Sequence, residues 1–330
     1  MRRALLLFLL ASAVLVAHPS PASAHGVGGR EPSNLRNEIV GLEGVPAGVA
    51  VRLVELDTKL ELRNTSGTTV VVLGYDGEPY LQVGPDGVFE NTRSPARFVN
   101  RTLDPPGEVP AGYDAAAPPE WRRMSTSTAV RWHDHRAHWM GDDEPDARTP
   151  WTVPLLVDGA RGEIRGAFET VAAPPWWPWP VVAVALALVV AVAARRKWRV
   201  AAACALGGLL AAEVLHVAGS WSAMASSFDD RLGAQALSVL AVVVSGVALA
   251  RVLRTDAYDA APWALFAAVV MIAVGAGDVL SWTRSQLPSS LAPPLVRALV
   301  AAVLGGAVGL VVAAATRLRA PEAPRERLGP

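Results

Sequence analysis

The chain of 330 residues has a single cysteine, Cys204, set in an apolar run. That excludes an internal disulfide, a thiolate zinc cluster and a Cys-x-x-Cys redox pair, so a metal site has to be built from nitrogen, oxygen or thioether donors. An excess of one charge is also lacking. Thirty basic side chains balance thirty acidic ones, and nothing global points to nucleic acid. Lysine is nearly absent (Lys59 and Lys197 only), a bias that with the Ala, Val and Gly richness suits a GC-rich bacterial genome. No internal repeat is visible, so a duplicated transporter half is not supported. Histidine is scarce too, six in all, yet three of them fall within Arg131–Met140.

Residues 1–24 read as a secretory signal peptide: Arg2 and Arg3, an apolar core from Ala4 to Ala17, and the small-residue site Ala22-Ser23-Ala24. The core is too short, and too closely followed by Pro19 and Pro21, for a membrane span. Cleavage after Ala24 makes His25 the first residue of the mature protein and discards His18.

Residues 25–172 read as one extracytoplasmic all-β domain, a sandwich of immunoglobulin- or cupredoxin-like type. Alternation predicts strands at Val49–Val54 and Lys59–Arg63, then Thr69–Leu73 after the turn Asn64-Thr65-Ser66-Gly67. Further strands are expected at Tyr80–Val83, Gly87–Glu90, Thr126–Trp132, Trp151–Val157 and Glu163–Phe168. The stretch Leu103–Pro119, rich in Pro, Gly and Ala, reads as a long loop. Asn64-Thr65-Ser66 and Asn100-Arg101-Thr102 fit the glycosylation sequon, a match without weight in a bacterial chain.

At Ala173 the composition changes. Trp176, Trp177 and Trp179 sit in a stiff Pro-rich linker that suits a membrane–water interface. A transmembrane helical domain, 173–318, follows with about five helices at 178–194, 199–218, 233–251, 261–281 and 292–316, and 319–330 is a tail. Arg195, Arg196, Lys197 and Arg199 follow the first run, Arg251 and Arg254 the third, and Arg317, Arg319, Arg325 and Arg327 the fifth. The positive-inside rule then gives a multi-pass plasma-membrane protein with its β-domain outside and its C-terminus in the cytoplasm.

In an extended segment, His133 and His135 point to one face and Asp134 to the other, so one short strand offers two imidazoles to one ion. An N-terminal His25 adds two nitrogens, its α-amine and its ring, and Gly26, Gly28 and Gly29 let the backbone bend around a metal. Such a nitrogen-rich set suits copper first, zinc or nickel next. His138 and Met140 are further candidates, a thioether favouring Cu(I), while Asp134, Asp142 and Asp143 are candidates for orienting the imidazoles. Trp132 and Trp139 are assigned to packing. Against this stands the ordinary alternative that a His-x-His pair is hydrogen-bonded surface.

A mature N-terminal His followed about a hundred residues later by His-x-His, on a β-sandwich tied to membrane helices, resembles the copper-binding subunit of particulate methane and ammonia monooxygenases. It is also similar to periplasmic copper-binding proteins of the CopC type and to membrane proteins of actinobacteria. The resemblance implies a histidine brace in which His25, His133 and His135 hold Cu(I) or Cu(II). It departs in having five helices on a single short β-domain, which weakens the case for oxygen activation. Three classes follow: a copper-capturing, storing or delivering membrane protein that works with lipid and with another copper-handling protein or membrane subunit; a monooxygenase-like subunit; and a metal-free scaffolding protein. No catalytic residue is assigned. Within the helices, Glu213 and His216, spaced i, i+3, and Asp278 form a second polar site, the plain alternative being carboxylate contacts with Arg284 or Arg297.

Overall fold

The computed structural model describes residues 32–55, 57–102, 107–141, 145, 147–223 and 228–319. The signal-peptide reading, His25, Asp142 and Asp143 lie outside the described residues, as does the tail from 320. The chain forms two compact units, one of Ser33–Ala172 and one running from Ala173 onward.

The first unit is an antiparallel β-sheet domain. Its strands are β1 (Leu35–Glu43), β2 (Val49–Val54), β3 (Lys59–Asn64), β4 (Val70–Leu73), β5 (Pro79–Gly84), β6 (Gly87–Asn91), β7 (Trp121–Ser125), β8 (Ala129–Trp132), β9 (Thr149–Val157) and β10 (Ala160–Thr170), with one short helix, α1 (Pro95–Val99). Seven strands form one sheet in the order β1-β10-β9-β4-β5-β6-β7, and β2-β3-β8 form a second. Leu60, Leu62, Val130 and Trp132 of the small sheet share one hydrophobic core with Val70, Val72, Leu81, Val83, Val153, Leu155 and Ile164 of the large one. Alternation drives this: in β9 the buried residues Trp151, Val153, Leu155 and Val157 occupy every second position.

Two strands go beyond the alternation. β1 carries a register shift between Ile39 and Gly41 and leaves Val40 exposed, which scrambles its period of two. β7 is an edge strand, exposed along Arg122–Ser125, with no apolar face to detect. The strand expected over Thr126–Trp132 is shorter, starting at Ala129. Both sequon asparagines are buried, and Asn64 donates to the carbonyls of Thr68 and Val83, at 2.8 and 2.9 Å.

The second unit is helical: α2 (Pro178–Ala223), α3 (Phe228–Ala234), α4 (Ala236–Arg254), α5 (Ala257–Gly277) and α6 (Pro293–Arg319), with a 3₁₀ turn at Val279–Trp282. Four of these helices, α2, α4, α5 and α6, are long and apolar enough to cross a membrane. In α2 two helical segments meet at Lys197, whose φ of −140° and ψ of 71° are not helical. Contacts along α6 show how the segments run. A Cβ on Gly305 would strike the Ala183 carbonyl and one on Gly309 the Ala187 carbonyl. Trp198 donates to the Ala313 carbonyl at 3.2 Å. Past Lys197 the order reverses, Leu209 lying against Gly306 and Gly219 against Leu291. The two segments are antiparallel and both pack on α6. Arg199 completes this end of the unit by donating to the carbonyls of Val252 and Leu253, at 2.8 and 2.7 Å, where α4 leaves acceptors unsatisfied.

Candidate metal centre

β8 ends at Trp132, paired with Leu60 of β3, so the next residue enters the end of the small sheet beside the β2–β3 turn. There the buried His133 ring meets the Thr58 carbonyl, with Nδ1 to O at 2.6 Å. A carbonyl only accepts, so Nδ1 carries the proton and Nε2 carries the lone pair. That Nε2 is buried and has no hydrogen-bond partner among the described residues. Burial pushes the His133 pKa below its ordinary value, partly offset by the Thr58 carbonyl, and keeps the ring neutral.

The segment then leaves the extended conformation expected for it. Asp134 caps a 3₁₀ turn over His135–Ala137, its Oδ1 accepting from the Arg136 N–H at 3.1 Å. The turn nonetheless brings the histidines together: the ring of His133 lies 4.7 Å from that of His135 and 5.1 Å from that of His138, centroid to centroid and edge to face in both cases. His138, a further candidate in the sequence, is thus as much a neighbour of His133 as His135 is. The His135 Nε2 donates to the Thr102 carbonyl at 3.0 Å, which leaves Nδ1 as its lone-pair nitrogen.

Four side chains fix this turn. Asn37 of β1 donates to the Ala137 carbonyl at 2.8 Å and accepts from the Trp151 indole at 2.9 Å, tying the turn to the large sheet. The Tyr75 hydroxyl accepts from the His135 N–H at 3.0 Å and donates to Asn100 Oδ1. Arg136 forms a two-pronged pair with Asp134, both prongs at 2.9 Å, donates to the carbonyls of Leu73 and Gly74, and lies over the Tyr75 ring. Asp134 also accepts from the Trp132 indole at 3.0 Å, so its carboxylate serves Arg136 and Trp132 rather than an imidazole. Asn37 and Tyr75 lie far from the histidines in sequence, and no local signal marks them.

Met140 is exposed. Among the described residues, no three His, Cys, Asp or Glu side chains stand in an arrangement that holds a metal ion. The imidazole of His133 packs edge to face against both of the others. The chain matches no family model, no curated protein and no solved structure.

In the helical unit Glu213, His216 and Asp278 are all buried. His216 Nε2 lies 3.4 Å from Asp278 Oδ2, an ion pair when the ring is protonated. The guanidinium of Arg297 is bonded to main-chain carbonyls, those of Ser281 at 2.9 Å and Arg284 at 2.8 Å.

Proposed function

We propose that the protein is a membrane-anchored, extracytoplasmic copper-binding protein that captures, stores or hands over copper. The observation that carries this reading is His133. Its lone-pair nitrogen is buried, unprotonated and without a hydrogen-bond partner, while its other nitrogen is oriented by the Thr58 carbonyl. This is how a metal-ligating imidazole is ordinarily held, by a carbonyl that fixes its tautomer. His135 adds Nδ1 under the same logic, and His138 stands at a similar distance from the His133 ring. His25, with its amine and imidazole, would complete the set. Neutral nitrogens without a thiolate suit copper above zinc, and bound copper would supply a redox-active, Lewis-acidic centre.

In this reading the two sheets are the faces of an immunoglobulin- or cupredoxin-like sandwich, supported by their common core. The antiparallel segments of α2 count as two spans, giving five in all. Arg199, Arg251, Arg254, Arg317 and Arg319 belong to the end of the helical unit where the Lys197 kink, the end of α4 and the end of α6 meet. Their clustering supports that end as cytoplasmic and the β-domain as external.

The test is metal analysis of the full chain purified with His25 as its first residue. About one copper per chain, lost on replacing both His133 and His135 by Ala, is the expected result. Absence of copper after exposure to a stoichiometric amount would leave the metal-free scaffolding class.

A further inference from the structure

The helical unit buries three acid–base groups. Glu213 and His216 are one turn apart on α2, and Asp278 is the residue at which α5 ends and the 3₁₀ turn Val279–Trp282 begins. Each is more than nine-tenths buried, at 2, 5 and 7 % exposure. Ionisable groups in an apolar helical unit are costly to keep charged, and where they persist they commonly mark a pathway or a buried pair.

What surrounds the pair makes it a junction. On α2, Gly219 stands one turn beyond His216, and its carbonyl accepts from both the N–H and the hydroxyl of Ser290, each at 3.1 Å. The hydroxyls of Ser222 and Ser290 are 2.6 Å apart. Asp278 in turn leads directly into the connection that carries Ser290. From α6, Arg297 clasps the Ser281 and Arg284 carbonyls of that connection. Of the charged side chains on the elements that meet here, Glu213 stands one turn before His216 on α2, Arg284 lies on the connection and Arg297 on α6. α4 carries its charge only at Arg251 and Arg254, in its last turn, and α5 carries Asp259 in its first.

We propose that His216 and Asp278 are a proton-binding site of the helical unit, and that its protonation state sets how firmly the 283–292 connection is latched to α2. With the proton bound, imidazolium faces carboxylate, or imidazole faces carboxylic acid after transfer along the same contact. With it lost, a carboxylate faces a neutral ring, the charge–charge attraction across the junction is gone, and the Ser290–Gly219 and Ser222–Ser290 contacts hold the connection to α2. The ligand is a proton, and the site does not depend on copper binding in the β-domain.

The experiment uses the full chain in lipid, with nitrogen-labelled histidine and the His216 signal identified by its disappearance in His216→Gln. The expected result is a His216 signal whose response to pH changes in Asp278→Asn. Hydrogen exchange in 283–292, corrected for its intrinsic pH dependence, should differ by about tenfold between acidic and basic pH in the native chain, and not in Asp278→Asn. Should His216→Gln fail to fold, the exchange comparison with the isosteric Asp278→Asn decides alone. A His216 signal whose response to pH is the same in Asp278→Asn, or corrected exchange that does not vary with pH, would overturn the proposal.

Discussion

The Nδ1–H of His133 points at the carbonyl of Thr58 across the β2–β3 turn, 2.6 Å away, and so commits the opposite nitrogen of a buried ring to accepting. If that nitrogen is a copper ligand, His133→Ala should cost about 100-fold or more in copper affinity, measured by competition with a chelator. His135→Ala and His138→Ala should each cost less, because neither ring is buried as His133 is. Equal losses at the three positions would argue that they bind as exposed, independent imidazoles.

The free terminus can be tested apart from the turn. One residue added ahead of His25 keeps the imidazole and converts the amine to an amide, a far poorer donor near neutral pH. Copper affinity should fall by about tenfold or more, while thermal unfolding of the β-domain stays unchanged. If the extended and authentic chains bind copper equally, the N-terminal amine is not a ligand.

His133 also gives the β-domain a pH signature. Its folded pKa lies below the ordinary 6.5, chiefly through burial, so the unfolded chain binds the proton first as pH falls. The stability this neutral ring contributes is complete above about pH 6.5 and is lost as pH drops through the folded value. Denaturant unfolding of the native chain should therefore lose stability across that window relative to His133→Gln. Parallel pH profiles for the two would show that burial exerts no such effect.

Asp134 is the structural counterpart of these histidines. It is fully buried against Arg136, whose guanidinium is itself mostly covered. Asp134→Ala leaves that charge uncompensated and removes the cap of the 3₁₀ turn, so the β-domain should lose about 3–5 kcal/mol. Tm and chemical denaturation measure it, and a loss below about 1 kcal/mol would mean that Arg136 finds water instead.

Close packing in the helical unit is testable at glycine. Gly309→Val would press on the Ala187 carbonyl and Val190, 2.6 and 2.7 Å from an added Cβ, and should cost about 1–3 kcal/mol in detergent. Gly246→Ala, with nothing within 4 Å of the added carbon, is the control and should be neutral or slightly stabilising. Equal behaviour of the two would mean that α6 and the first segment of α2 are not in contact in solution.

The strands with clean alternation, such as Val49–Val54 and Trp151–Val157, could be read in the sequence because one face of each enters the core. The bulged β1 and the exposed β7 could not. The clustering of His133, His135 and His138 was legible as spacing, but its geometry was not. The turn depends on Asp134 capping it, on Asn37 arriving from β1, 100 residues upstream of Ala137, and on Tyr75 arriving from the β4–β5 turn, 60 residues upstream of His135. The polar site in the helices was legible residue by residue. The partnership of His216 with Asp278 was not, since it joins α2 to the end of α5, far apart in the chain.

The kink at Lys197 bears on how the protein is made. An unbroken helix of 46 residues would measure about 70 Å, more than twice the hydrocarbon thickness of a bilayer, so α2 has to double back. It does so on one non-helical residue, with no slack between the arms. Synthesis at about 5–20 residues per second delivers both arms within seconds of each other. On the proposed membrane reading the arms enter the bilayer as one hairpin, and α6, translated after both, packs against them.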